Sequence, residues 1–234
     1  MSESIDIVFV SNSSEYKLWE MTANAVRSAV RYASMPIGKV AIVEQCLWSK
    51  PQPIGKMLYY DFEFKYNKCL NLGFSICKSK YVAFCNNDLY FESNWARNAI
   101  RAMQKYGYLS VSPTNKHIFD GVREGYTIGK IVLGWCIIVD RRVFDKIGQF
   151  DEPVTFWYSD NVYVDQIQRA GVKHALVGNS RVRHLGSGSI TLRKIDPRLR
   201  AKYQKQQEKL FIQYKKDVNT SAKVKTEPAS NSSK

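Results

Sequence analysis

Asp88 closes an apolar run. In Tyr81-Val82-Ala83-Phe84-Cys85-Asn86-Asn87-Asp88 a mostly hydrophobic stretch passes directly into two amides and a carboxylate. A run of this length that stops abruptly predicts a strand buried on both faces, with its polar residues at the carboxyl end. Ligands bind at that end in open α/β sheets, and an aspartate flanked by amides can hold a divalent cation against a phosphate-bearing substrate there. A second carboxylate, Asp160, follows the aromatic segment Phe156-Trp157-Tyr158 within residues 148–171, GQFDEPVTFWYSDNVYVDQIQRAG. At the start of a predicted helix it can be a plain N-cap, or a general base if the preceding loop lines a cleft. His184 ends a short apolar strand and could complete a metal site. The Gly186-Ser187-Gly188-Ser189 stretch after it offers backbone for approach to a diphosphate. Gly134, before Trp135 and Cys136, lets either a bound sugar or a packed neighbour come close to the main chain.

These residues need a frame. Residues 5–10 (IDIVFV) predict a first strand ending in the polar loop Ser11-Asn12-Ser13-Ser14. Leu18, Met21, Ala25, Ala29 and Tyr32 fall on one face of a helix over 15–32. Residues 39–43 predict a second strand with Glu44 at its carboxyl end, and 46–66 a long loop with room for a short strand. A helix over 66–78 leads to the strand that ends at Asp88. This alternation predicts βαβ units and a largely parallel sheet. Further on, helices are expected over 94–106, 141–147 and 160–170, and strands over 108–112, 174–177 and 181–184. Residues 117–127 predict a loop, and 128–140 carry an apolar run around Gly134.

Composition bounds the function. With 234 residues and 44% hydrophobic content the chain suits one α/β domain with a tail. No apolar run approaches the roughly 20 residues a membrane span requires, and the amino terminus reads as a strand rather than a secretory signal. Five cysteines without a Cys-x-x-Cys pair argue against a disulfide framework and point to the cytoplasm. The formal net charge of +14 favours polyanions: nucleic acid, an anionic membrane face or a phosphorylated substrate. From residue 191 onward, twelve Lys/Arg stand against four Asp/Glu. Residues 197–217 predict a basic helix that docks through Leu199, Tyr203, Leu210, Phe211 and Tyr214. The low hydrophobicity of 219–234 predicts a disordered tail. The resulting division is 1–190, 191–218 and 219–234.

From Ile5 to about Ser189 the pattern resembles the GT-A glycosyltransferases, in particular the inverting enzymes of family 2. The features that carry the resemblance are the opening IDIVFVSNS, the Asn71-Leu72-Gly73 segment, Asn86-Asn87-Asp88 in the place of an Asp-x-Asp motif, the GQFDE turn, Ser159-Asp160 in the place of an acid-Asp pair, and His184. The resemblance implies a GT-A fold and transfer from a nucleotide-diphosphate sugar, a UDP-sugar first among them, to an acceptor hydroxyl with inversion. It implies that Asp88 and His184 hold Mn²⁺ or Mg²⁺ and that Asp160 is the base. Ser11, Asn12, Glu44, Asn71, Asn86, Asn87, Gly134 and Trp135 are implied to bind the nucleotide sugar, with Trp135 and Trp157 as stacking surfaces. Two acids of the family pattern are replaced here, by Asn86 and by Ser159.

The basic balance bears on the acceptor. It fits DNA with hydroxymethylated bases, as modified by bacteriophage glycosyltransferases, in which case the setting is the host cytoplasm. The alternative, second to DNA, is a lipid-linked or cell-surface glycan at an anionic membrane. A non-catalytic nucleic-acid-binding module needs no acid cluster, and a nucleotidyltransferase needs more carboxylates than this segment supplies.

Overall fold

The computed structural model describes residues 3–115, 126–127, 132–185 and 196–226. Among the described residues, nine strands form one mixed sheet in the order β3-β2-β1-β4-β8-β6-β9-β5, with β7 on β9. The strands are β1 (Ile5–Ser11), β2 (Ile37–Glu44), β3 (Lys56–Tyr59), β4 (Tyr81–Asn86), β5 (Leu89–Phe91), β6 (Ser110–Thr114), β7 (Tyr126–Thr127), β8 (Cys136–Asp140) and β9 (His174–His184). The helices are α1 (Tyr16–Tyr32), α2 (Tyr66–Ser75), α3 (Trp95–Tyr106), α4 (Arg142–Ile147), α5 (Ser159–Arg169) and α6 (Pro197–Thr226).

The strand alternation of β1 builds the core on both faces. Ile5, Ile7 and Phe9 join a cluster with Ala25, Ala29 and Trp95 of α1 and α3. Val8 and Val10 point the other way, into a cluster with Leu70, Phe144 and Tyr163 of α2, α4 and α5. Helix α2 lies flush on the sheet because of Gly73: a Cβ there would sit 2.2 Å from Val8 Cγ1. Tyr81 to Cys85 are buried throughout, as a strand covered on both faces must be.

The first four strands of the order pair in parallel. Strand β8 then runs antiparallel to β4 and to β6, so the sheet is more mixed than the βαβ reading predicts. The strand expected to run to Asp88 stops at Asn86, and the chain turns at Asn87-Asp88 into β5. The two strands expected over 174–177 and 181–184 are one continuous strand. A register irregularity at Pro113/Thr114 lets β9 pair with β6 through its first half, while its second half pairs with β5.

Helix α6 continues to Thr226, past the expected end at 217 and into the segment expected to be disordered. Residues 219–226 contain no Gly or Pro to stop it, and the first such residue is Pro228. Of its expected docking residues, Phe211 and Tyr214 face the domain, joined by Gln207, whereas Leu199, Tyr203 and Leu210 are exposed. Among the described residues no helix is long and apolar enough to cross a membrane. The expectations for 117–125, 128–131, 186–190 and 227–234, including the diphosphate-facing Gly/Ser stretch, lie outside the described residues.

Candidate functional site

The carboxyl ends of β2, β1 and β4 stand side by side, with Ser11 opposite Glu44 and Val10 opposite Asn86. This edge gathers the polar residues of three separate segments. The Ser11 hydroxyl lies 2.9 Å from Thr22 Oγ1 of α1, and Asn87 Nδ2 donates to that same Thr22 oxygen at 3.0 Å. The loop after β1 and the segment carrying Asp88 are thus fastened through one threonine. Asn12 donates to the Gln45 side chain. Glu44 is fully buried. One of its oxygens accepts the Ser13 and Cys46 amides, each at 2.8 Å, so it holds the loop from behind rather than presenting itself at the surface.

Asp88 turns toward His184. Its Oδ1 lies 3.2 Å from His184 Nε2, and the Leu185 amide donates to the Asp88 carbonyl at 3.0 Å. Leu89 pairs with His184 in the β5–β9 ribbon, which brings Asp88 and His184, 96 positions apart in sequence, into contact. The Trp135 ring stacks on the imidazole at 5.8 Å and 18°. Among the described residues, no three or more His, Cys, Asp or Glu side chains converge as a ready-made cation cage. One carboxylate and one imidazole fit a Mn²⁺ or Mg²⁺ ion that takes its other ligands from a diphosphate and water.

Asp160 faces the same space. A pocket of ≈ 200 Å³ is lined by Tyr66, Asn86, Gly134, Trp135, Asp160 and His184, with the 156–159 segment forming its wall. Burial pushes the Asp160 carboxyl above the usual carboxylate range, against the Asn161 amide that donates to it at 2.9 Å. Desolvation therefore outweighs the favourable helix N-terminus. Gly134 makes this arrangement possible. A Cβ at that position would lie 2.5 Å from Asp160 Cβ and 2.8 Å from its Oδ2, so the space beside the glycine is filled by the carboxylate.

The segment before Asp160 is strained and braced. Tyr158 caps α5 with φ 70, a left-handed conformation unusual for a tyrosine. Its ring stacks on Phe211 of α6 at 5.6 Å and 16°. Gln207 of α6 accepts the Thr155 amide, and Tyr214 donates to Asp151 at 2.6 Å. The basic helix is thus part of the wall that carries Asp160.

Ser11, Asn12, Glu44, Asn87 and Asp88 border the strand-end edge without lining this pocket, and Asn71 does not line it either. Its amide donates to the Phe150 carbonyl and the Glu152 carboxylate and accepts the Phe150 N–H, tying α2 to the GQFDE turn. Tyr66 is a pocket residue that sequence reasoning missed. Its hydroxyl donates to Asn86 Oδ1 at 2.7 Å. A tyrosine opening a helix carries no signal of its own. The Thr155 carbonyl, which accepts its backbone N–H, and the edge-on Phe156 ring locate it beside the aromatic loop.

Residues 57–163 match the model of glycosyl transferase family 2. That span includes Asn71, Asn86, Asn87, Asp88, Gly134, Trp135 and Asp160, and leaves out Ser11, Asn12, Glu44 and His184. Comparison with curated protein sequences gives no match. Among solved structures the chain is similar to GalNAc-T7, crystallised with UDP, GalNAc and Mn²⁺. The TM-score is 0.62 and the identity 13%, over 78% of this chain and 43% of that one. The chain spans less than half the length of that relative, and the likeness is one of fold: the α/β architecture is that of the GT-A glycosyltransferases.

Proposed function

We propose that the protein is an inverting, divalent-cation-assisted glycosyltransferase that uses a nucleotide-diphosphate sugar, a UDP-sugar in the first instance. The observation that carries this reading is the shared pocket. His184, in contact with Asp88, and Asp160, with its raised carboxyl, line one cavity although they belong to different parts of the chain. The match of residues 57–163 to the family model supports the same reaction class.

Asp88 and His184 would hold the cation, which supplies Lewis-acid neutralisation of the leaving diphosphate. Asp160 would take the proton of the acceptor hydroxyl while that oxygen attacks the anomeric carbon and the bond to the diphosphate breaks. A base with a raised pKa is matched to that task near neutral pH. Trp135, held flat against His184, and Trp157 offer rings for the sugar. Ser11, Asn12 and the loop braced by Glu44 would receive the nucleotide.

The acceptor proposed is DNA carrying a hydroxymethylated base, of the kind bacteriophage enzymes modify. What supports it is α6. Arg198, Lys202, Lys205, Lys209 and Lys216 are exposed and share one helical face, while Gln207, Phe211 and Tyr214 hold the opposite side against the pocket wall. A cationic face on a helix docked against the pocket wall suits a polyanionic acceptor. The test is transfer from UDP-sugars to modified and unmodified DNA with Mn²⁺. Activity should collapse in Asp88→Ala and Asp160→Asn. Undiminished turnover in either variant would falsify the assignment of roles.

A further inference from the structure

A second, larger hollow lies on the far side of the β5–β9 ribbon. It has a volume of ≈ 680 Å³ and runs between α1 and the ribbon. Lys17, Glu20, Asn24, Arg27 and Arg31 of α1 line it at helical spacing. Fourteen residues of helix separate Lys17 from Arg31, about 21 Å of length. Arg183 and Tyr90 face α1 from the ribbon. Tyr32, Tyr90 and Arg183 also line an adjoining hollow of ≈ 370 Å³ that adds Arg181 and Glu92. The two hollows form one slot in which five cations stand against two carboxylates.

We infer that this slot binds a single-stranded phosphodiester chain, the acceptor strand of the proposed reaction. The inference deepens that reading and rests on it for its role. Four of the five cations are arginines, whose planar forks match phosphate oxygens. They are strung out along the slot, which suits a repeating anion better than a single ion. Rings lie between them. Arg183 Cζ sits 4.4 Å from the Tyr90 centroid, and the Tyr32 and Tyr90 rings meet at 6.1 Å. Guanidinium planes and tyrosine faces interleaved with positive charge make a platform on which successive bases stack. The partner Glu92 holds Arg183 only loosely, at 3.8 Å, so that guanidinium can turn to a phosphate. A volume of ≈ 680 Å³ spread over about 21 Å of α1 leaves a mean cross-section of roughly 30 Å², which suits one extended chain.

The ribbon also explains how such a strand reaches the chemistry. Arg183 and Leu185 line the slot, while His184 between them faces Asp88. A strand held on the outer face need only pass the end of the ribbon to present a base to the pocket. Bases in single strands make that excursion without the cost of unpairing.

The test is binding of a fluorescein-labelled 12-nucleotide single-stranded DNA to the full chain by anisotropy across salt concentrations, without donor or metal. The Arg31→Ala/Arg183→Ala variant should bind at least tenfold more weakly. Its slope of log affinity against log salt should be shallower by about 1.4, two phosphate contacts at about 0.7 each. The Lys146→Ala/Lys173→Ala variant, which removes two exposed cations outside the slot, should bind like the parent. Circular dichroism checks folding, and Arg27→Gln alone should still weaken binding if the double variant is unstable. The inference is overturned if the slot variants bind as the parent does, or if the control loses as much. It is equally overturned if the parent does not bind, or if polyglutamate or anionic vesicles compete as well as the oligonucleotide. Donor hydrolysis with Mn²⁺ separates the two readings. Lost binding with retained hydrolysis fails the slot alone, and retained binding without hydrolysis fails the transfer reading alone.

Discussion

His184 Nε2 stands 3.2 Å from Asp88 Oδ1, and the pair is held by a strand register rather than by a loop. Leu89 opposite His184 and the Leu185 amide on the Asp88 carbonyl leave the two side chains little freedom. His184→Ala should therefore weaken Mn²⁺ dependence without unfolding the protein. A Mn²⁺ titration of donor hydrolysis should show the half-saturating concentration rising by about 10- to 100-fold. An unchanged titration would remove His184 from the cation site.

Asp160 gives paired expectations. Because burial raises its folded-state pKa, its charge is paid for in stability at any pH above the ordinary carboxylate range. Asp160→Asn keeps an oxygen for the Asn161 amide and removes that charge. Its Tm at pH 7 should rise while turnover falls by about 10²–10⁴-fold. The acid limb of kcat/KM in the parent should lie above 3.8, the ordinary carboxyl value. A lower Tm, or an acid limb at or below that value, contradicts the burial argument.

Gly134→Ala should damage activity more than stability. The added methyl must displace the Asp160 carboxyl, since the contact would be 2.5 Å to its Cβ. Overpacking of this kind costs about 1–3 kcal/mol, and misplacing a reacting group by an ångström costs about 10²-fold in rate. Chemical denaturation and turnover on the same preparation check both. Full activity would mean that Asp160 need not sit where it does.

Asp6 governs acid stability away from the site. Burial alone would raise its pKa, but the Lys39, Ser79 and Lys78 amides and the Ser79 hydroxyl donate to it at 2.6–2.7 Å and hold it below the usual 3.8. A depressed carboxylate contributes stability above its unfolded pKa and loses it as pH falls through the folded one. Stability should drop below about pH 4. Asp6→Asn should cost about 1–3 kcal/mol at pH 7 and flatten the acid limb. A variant with the parent's pH profile would refute this.

Much of this was legible in residue order. The strand Tyr81–Asn86 could be read because burial on both faces leaves a continuous apolar run, and His184 could be placed at a strand end by the apolar residues before it. Asn71 could be seen but not placed, since an amide in a helix serves a ligand or a loop equally well. On α6, Phe211 and Tyr214 dock as expected, whereas Leu199, Tyr203 and Leu210 lie on a neighbouring stripe that apolar spacing cannot separate from theirs, and the positions of Tyr158 and Asp151 select between the two. Strand β5 is only three residues long, too short for its alternation to announce it. The cations of α1 escaped notice because the apolar spacing on the opposite side of the helix explained its burial completely.

Strand β9 delivers alternate residues to two different compartments, with a single polypeptide as the partition between them. Side chains on a strand exchange sides with every shift of one position. Deleting one residue near Asn179 would put Leu185 in the place that faces Asp88 and send the imidazole outward among the arginines. Inserting one would instead aim the Arg183 guanidinium at Asp88, so the length of this segment is as much a part of the chemistry as any side chain on it.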